Sequence, residues 1–279
     1  MAKISYREAL QRASSLLGAK GLEPESMLYV FLRRKQWDTT QWLLHFSEEI
    51  PPADQAQLAA DLEALLAFRP AQYLLGYEEF CGHRFKVTEA TLIPRPETEE
   101  LVMAAIDSFP PDQSVRVADI GTGTGAIGLS VKLARPQWQV ALTDLSQEAL
   151  AVAKENAELL GTQVAFYQGD TLEALPPGDV DLLLSNPPYI SVAEWDLMDE
   201  SVRRYEPKTA LFAEDEGLAI YRKLAQQAPA RLTKDGQVFL EIGFAQGKAV
   251  QEMFQEAFPE KEVAILKDLA GQDRIVHVF

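Results

Sequence analysis

One cysteine, Cys81, stands in 279 residues, which excludes an internal disulfide and with it the small secreted folds built on them. Histidine is almost as scarce. His45, His83 and His277 lie far apart in the chain, so neither a clustered metal-ligand set nor a histidine base is expected, and Cys81 reads as a packed or idle thiol rather than a nucleophile. No stretch approaches the roughly 18 apolar residues that a membrane span needs. Met1-Ala2-Lys3 leads into an amphipathic pattern without the apolar core of a secretory signal, so the expected location is cytoplasmic. Cations are also in deficit: 26 Lys+Arg face 42 Asp+Glu, a formal net charge of -16. A chain of that sign repels a phosphate backbone, and the lack of a broad basic segment argues against sequence-independent binding of nucleic acid.

What remains has the balance of a globular protein, 47% hydrophobic and 24% charged, and is long enough for two domains. Residues 1–75 hold 8 basic and 9 acidic residues, whereas the rest holds 18 and 33, so the acidity belongs to the second part. The first part reads as a small helical bundle. Ser5 with Glu8 forms a capping box, and Leu10, Ala13, Leu16 and Leu17 mark one face before Gly21. Pro24 opens a segment carrying Leu28, Phe31 and Leu32; Trp42 to Phe46 is a shorter piece; Leu58, Leu62, Leu65 and Leu66 recur at helical spacing. The Arg33-Arg34-Lys35 run reads as a solvated helix end rather than a partner contact. Between Pro70 and Pro96 the pattern changes to short β-like runs around Gly82, expected as a hairpin connector.

From residue 115 onward, apolar strand candidates at 115–120, 139–143, 164–167, 180–185 and 237–242 alternate with helical patterns, which calls for a parallel sheet covered on both faces. The last two candidates, 262–266 and 274–279, have no room between them for a crossover helix and are expected to pair antiparallel.

The first of these strands runs into Gly121-Thr122-Gly123-Thr124-Gly125-Ala126-Ile127-Gly128 and then a helix. Glycines permit positive φ and let a ligand approach the backbone, while the helix offers free N–H groups. Asp144 closes the next strand, where an acid can accept hydrogen bonds from ribose hydroxyls, so loop and acid together describe an adenosine-containing ligand. Gly123-x-Gly125-x-x-Gly128 also fits the dinucleotide fingerprint, which leaves a nicotinamide cofactor open at this point. Asp170, after the third strand, is placed either to hydrogen-bond an adenine amino group or to cap the following turn.

The fourth strand ends in Ser185-Asn186-Pro187-Pro188-Tyr189-Ile190. Two prolines fix φ and remove donors, leaving the Asn186 side chain and the Pro187 carbonyl as rigid acceptors beside an aromatic ring. Such a pair suits the two hydrogens of a planar NH2 group, with Tyr189 packed against the attached π system, and a hydride transfer has no use for it.

At this segment the sequence resembles the class I S-adenosylmethionine-dependent methyltransferases that act on amide or amino nitrogen. Pro70-Ala-Gln-Tyr73-Leu-Leu-Gly76, Leu92-Ile-Pro94-Arg95-Pro96-Glu97-Thr98-Glu99, Asp119-Ile-Gly-Thr-Gly-Thr-Gly125, Asn186-Pro-Pro-Tyr189, Tyr205-Glu206-Pro207 and Glu241-Ile-Gly243 are similar, in that order, to the peptide chain release factor glutamine N5-methyltransferases. The resemblance covers residues 70–279 closely and residues 1–69 mainly as a helical domain. It implies a seven-stranded, mostly parallel Rossmann-like α/β sheet with an antiparallel last strand, preceded by a helical bundle. Three parts are expected: a substrate-recognition domain over 1–75, a hairpin connector over 76–96 and a methyltransferase domain over 97–279. Gly121, Thr122, Gly123, Thr124, Gly125, Asp144, Asp170, Thr171 and Asn186 are the implied cofactor contacts; Asn186, Pro187, Pro188 and Tyr189 the substrate contacts; Asn186, Pro187 and Tyr189 the catalytic set. Glu97 and Thr98 fall beside the site by the resemblance, though their own composition reads as a helix start. The cofactor implied is S-adenosylmethionine, leaving S-adenosylhomocysteine, with no metal. The partner is a class I release factor modified on the glutamine of its Gly-Gly-Gln loop, with no nucleic-acid substrate, no membrane and a monomeric enzyme. Adenine-N6 and guanine-N2 methyltransferases share Asn-Pro-Pro-Tyr and are disfavoured by the charge; a nucleoside-sensing module without catalysis is the non-enzymatic rival. One departure stands out: where the family carries a glycine pair after Leu211, this chain reads Phe212-Ala213-Glu214-Asp215-Glu216-Gly217.

Overall fold

Ser5 starts the first helix by reciprocal capping: its side chain accepts from the Glu8 N–H while the Glu8 carboxylate accepts from the Ser5 N–H at 2.8 Å. The computed structural model describes residues 4–279, so the reading of Met1-Ala2-Lys3 lies outside the described residues. Helices α1 (Tyr6–Ala19), α2 (Glu25–Lys35), α3 (Thr39–His45), α4 (Pro52–Leu66) and α5 (Ala71–Leu75) close around Leu10, Leu17, Met27, Val30, Phe31, Leu58 and Leu65. The bundle corrects three expectations. Leu16 is exposed, because the inward stripe of α1 runs through Tyr6, Ala9, Leu10, Ala13 and Leu17. The segment after Pro70 is helical at α5 before any strand begins. The Arg33-Arg34-Lys35 run is not a solvated helix end: Arg34 donates to both Asp61 oxygens at 2.7 and 2.8 Å and to the Leu74 carbonyl, and Lys35 reaches Asp54 at 2.9 Å. Asp61 is buried on α4, and a carboxylate there requires such a partner, so the run ties α2 to α4.

The chain divides into two compact units, and the larger comprises Glu78–Met198 and Glu206–Phe279. The elements that follow the bundle are β1 (Tyr77–Phe80), β2 (His83–Lys86), α6 (Pro96–Asp107), β3 (Arg116–Ile120), α7 (Ala126–Ala134), β4 (Gln139–Asp144), α8 (Gln147–Leu159), β5 (Ala165–Gln168) and β6 (Val180–Ser185), then α9 (Glu200–Tyr205), α10 (Ala219–Gln227), β7 (Leu232–Glu241), α11 (Gly247–Ala257), β8 (Val263–Lys267) and β9 (Asp273–Val278). Of these, α9 belongs to the smaller unit, where Tyr205 donates to the Ala67 carbonyl at 3.0 Å and the Arg204 guanidinium lies over the Phe68 ring. Strands β1 and β2 form a two-stranded sheet whose inward Phe80 and Phe85 pack into the core of the larger unit.

The main sheet has the order β5-β4-β3-β6-β7-β9-β8, with β9 antiparallel to both neighbours and the other pairings parallel, as expected from the sequence. Its central strands are covered on both faces, which is why Leu182-Leu183-Leu184 is an unbroken apolar run without exposure. Strand β7 starts at Leu232 rather than at 237, with an irregularity opposite Val180 and Leu182. The chain winds outward from β3 through β4 to β5, then returns to β6 on the other side of β3. The carboxyl ends of β3 and β6 therefore flank the crevice where open α/β sheets bind ligands. The register pairs Ile120 with both Thr143 and Ser185, so the residues that follow β3, β4 and β6 emerge at one edge.

Candidate active site

The glycine loop rests on a carboxylate. Asp119 Oδ2 accepts from the Thr122 hydroxyl at 2.5 Å and from the Gly128 N–H at 2.9 Å, which ties both ends of the turn to the end of β3. Asp119 is fully buried and its Oδ1 has no hydrogen-bond partner; burial pushes its pKa up to about 6 against those two bonds. Gly121 and Gly123 take φ of 70° and 56°, and open space lies where each would carry a Cβ, so a ligand can lie against the backbone. Gly125 serves packing instead, because a Cβ there would come within 2.8 Å of Leu129 Cδ1, and its absence lets α7 start close to its neighbours. Buried Asn156 on α8 holds the loop from behind, donating to the carbonyls of Thr124 and Lys86 while accepting from the Lys86 N–H.

Asp144 accepts from the Gly123 N–H and the Ser146 N–H, each at 2.9 Å, so the acid at the end of β4 is aimed at the loop. Burial raises its pKa, and these backbone bonds offset part of the rise. Asp170 occupies the cap position of the next turn, but its carboxylate makes no capping bond and pairs instead with Lys223 at 2.6 Å. The Thr171 hydroxyl donates to Gln227 Oε1 at 2.7 Å.

Asn186 follows β6. Its Nδ2 donates to Thr98 Oγ1 at 3.2 Å, and the Thr98 hydroxyl in turn donates to Glu241 Oε2 at 2.6 Å. With the amide nitrogen engaged on that side, Oδ1 is the end left to accept. Glu241 is buried, and desolvation pushes its pKa up to about 7 against the Thr98 bond and the Arg274 charge. Nearby, Glu206 accepts from the Ile93 N–H at 3.1 Å and from Arg95 at 2.5 Å, which ties Glu206 to the Pro94-Arg95-Pro96 segment.

A single cleft of about 430 Å³ brings these groups together. Gly121, Thr122, Gly123, Thr124, Asp144, Asp170, Thr171, Asn186, Pro187 and Pro188 line it, with Thr98 and Arg95; Gly125 and Tyr189 do not. The Tyr189 ring packs on the core beside Gly243, and its carbonyl accepts from Gln246 Nε2 at 2.9 Å. The missing glycine pair is accommodated by Asp215, Glu216 and Gly217, all at positive φ; a Cβ on Gly217 would stand 2.0 Å from the Tyr189 carbonyl oxygen. The histidines stay outside the cleft, and no cluster of metal-binding side chains occurs among the described residues. Sequence reasoning passes over the roles of Asp119, Glu241 and Asn156. Asp119 carries a signal, an acid inside an apolar strand one residue before its end; Asn156 carries none.

A glycine turn on a parallel sheet is common to many nucleotide-binding folds, but a reversed strand between β7 and β8, with acceptors at the end of β6, defines a class I methyltransferase. The chain aligns over 80% of its length with the crystal structure of a methyltransferase from Pyrococcus furiosus, covering 97% of that chain at a TM-score of 0.54 and 18% identity, a likeness of fold. The methyltransferase small domain matches residues 100–213, and the PrmC N-terminal domain matches residues 8–76. Two relatives are named release factor glutamine methyltransferase. One, from Enterococcus faecalis, is 56% identical over 97% of both chains; the other, from Lactococcus lactis, is 43% identical over 92% of this chain and 94% of its own. The chain belongs to the release factor glutamine methyltransferase family.

Proposed function

We infer that this enzyme transfers a methyl group from S-adenosylmethionine to the side-chain N5 of the glutamine in the Gly-Gly-Gln loop of class I release factors. The observation that carries the reading is the Asn186 amide, tied back through its nitrogen so that Oδ1 is the available acceptor at the lip of the cleft. The residues fit the cofactor. Asp119 Oδ1, buried and unpaired beneath the loop, is suited to a cationic ammonium group, Asp144 to a ribose diol, and the open faces of Gly121 and Gly123 to close approach of the ligand. Asp170 and Thr171 line the same cleft, and in this reading they take the adenine. When bound, S-adenosylmethionine supplies an electrophilic methyl group on a sulfonium.

An amide nitrogen is a poor nucleophile because its lone pair is delocalised, so the protein must orient it and stabilise the positive charge it gains. Asn186 Oδ1 and the Pro187 carbonyl do both. They accept the two N–H groups, and those bonds strengthen as the hydrogens become more acidic, which stabilises the transition state more than the ground state. The prolines keep the acceptors preorganised, and Gln246 and Gly217 fix the backbone at Tyr189, the residue that follows them. The proton leaves afterwards to water, and these steps call on no metal ion. Residues 1–75 act as the recognition domain, 97–279 carry the chemistry and 76–96 join them. The enzyme works as a monomer in the cytoplasm, where its substrate functions, and the net charge of -16 disfavours nucleic acid as acceptor.

The test is to offer intact release factor, a peptide copying its loop and duplex DNA under identical conditions, with full-length enzyme. The folded protein is expected to be methylated far better than the peptide, and DNA not at all. Efficient methylation of DNA overturns the substrate class.

A further inference from the structure

Asn186 can serve as an acceptor only in one of two amide orientations, which differ by a half-turn that exchanges Oδ1 and Nδ2. What selects between them lies behind it, on α6 and at the end of β7. We propose that Thr98 and Glu241 are positioning residues that set the orientation of the Asn186 amide, with the ionised Glu241 carboxylate giving the hydrogen-bond chain its direction. The proposal rests on the reading of Asn186 Oδ1 as an acceptor for the substrate amide.

An ionised carboxylate is acceptor-only, so the Thr98 hydroxyl must spend its single hydrogen on Glu241, as it does at 2.6 Å. Its remaining lone pair then faces Asn186 and accepts from Nδ2 at 3.2 Å, leaving Oδ1 for the cleft. Once Glu241 is protonated its own O–H can donate to Thr98, the Thr98 hydrogen turns to Asn186, and Oδ1 is drawn inward to accept it. The cleft then meets the incoming NH2 with a second NH2. The Thr98–Glu241 link is buried, where a hydrogen bond is stronger than in water, and the Asn186–Thr98 link is partly buried at the wall of the cleft.

Four further groups face Glu241. Glu97 on α6 opposes its ionisation, Arg274 on β9 favours it, Tyr189 stands close, and the Tyr221 hydroxyl on α10 donates to its backbone carbonyl at 2.7 Å. Burial and Glu97 raise its pKa to about 7 while Thr98, Arg274 and Asn186 pull it back, so the chain changes direction within an accessible pH range.

The test uses full-length enzyme and intact release factor, with S-adenosylmethionine affinity measured alongside to verify folding. Wild-type kcat is expected to rise with pH as one proton leaves a group near pH 7. Thr98→Val should lower kcat by about tenfold, the range expected for one lost orienting hydrogen bond, with little change in cofactor affinity and a weaker dependence on that proton, because the Asn186 amide also interacts with Glu241 directly. Thr98→Ser, which keeps the hydroxyl, should retain both turnover and pH profile, and it reads out the proposal even if valine disturbs packing. Glu241→Gln should flatten the pH profile. Asn186→Ala separates the levels: if it abolishes turnover while Thr98→Val leaves kcat and pH profile unchanged, the positioning role falls alone. If Asn186→Ala is itself near normal, the acceptor reading falls and takes this proposal with it.

Discussion

Replacing Asp119 with Asn isolates the cost of keeping a charge beneath the glycine loop. The asparagine oxygen can take the place of Oδ2 and accept from Thr122 and Gly128, which puts an NH2 where the unpaired Oδ1 stands. The charge is lost and the two loop bonds are kept. Burial moves the Asp119 pKa from 3.8 to about 6 in the folded protein. A raised carboxyl pKa means that the folded state holds its proton more tightly. Its contribution to stability is therefore complete below about pH 4 and disappears as pH climbs through about 6. At roughly 1.4 kcal/mol per pH unit, the ionised side chain costs about 3 kcal/mol at pH 8. Urea unfolding of the ligand-free protein should find Asp119→Asn more stable than wild type by about that amount at pH 8, with the gap closing as pH falls towards 4. Calorimetry should find the opposite for function, S-adenosylmethionine bound about tenfold or more weakly, because the cationic ammonium has lost its counter-charge. A stability difference independent of pH, or unchanged cofactor affinity, would refute the reasoning.

Asp144→Ala should weaken S-adenosylmethionine by about 1 to 3 kcal/mol in calorimetry, with no comparable affinity for NAD or NADP in the parent enzyme, and a preference for a nicotinamide cofactor would reverse the assignment. Asn186→Ala should leave cofactor affinity largely intact and lower turnover by about two to three powers of ten, as loss of one preorganised transition-state partner does. Tyr189→Phe should be mild in the same assay and Tyr189→Ala severe, since the ring packs on the core and its loss would loosen the segment that follows the prolines. Gly217→Ala, which drives a methyl group against the Tyr189 carbonyl, should depress turnover while cofactor binding survives; full activity would show that the turn is not held as described.

Most of the sheet is legible in the sequence because its strands announce themselves. Leu182-Leu183-Leu184 is apolar without alternation, as a strand covered on both faces must be, and the polar groups of Asp144, which closes β4, and Asn186, which follows β6, mark where those strands end. The cofactor side of the cleft can be read from one local stretch plus one acid. The Asn186 support cannot. Thr98 and Glu241 are 143 positions apart, and only the adjacency of β6 and β7, which pairs Ser185 with Leu240, puts Glu241 behind Asn186. Tyr189 escapes a local reading because the orientation of a ring after two prolines depends on what packs behind it, here Gly243 and the Gln246 bridge. Arg34 escapes it for the same reason: cations at a helix end look solvated until Asp61 and Asp54 on α4 meet Arg34 and Lys35.

The central claim is that a glutamine side-chain nitrogen, presented on a folded release factor, is the methyl acceptor for the Asn186 and Pro187 oxygens. Fragment-ion mass spectrometry of release factor after incubation with enzyme and S-adenosylmethionine tests it most directly. The account predicts a single added methyl group, located on the side chain of the Gly-Gly-Gln glutamine and nowhere else in the protein. A methyl group found on another residue, or an unmodified loop glutamine after prolonged incubation with cofactor-binding enzyme, would contradict it.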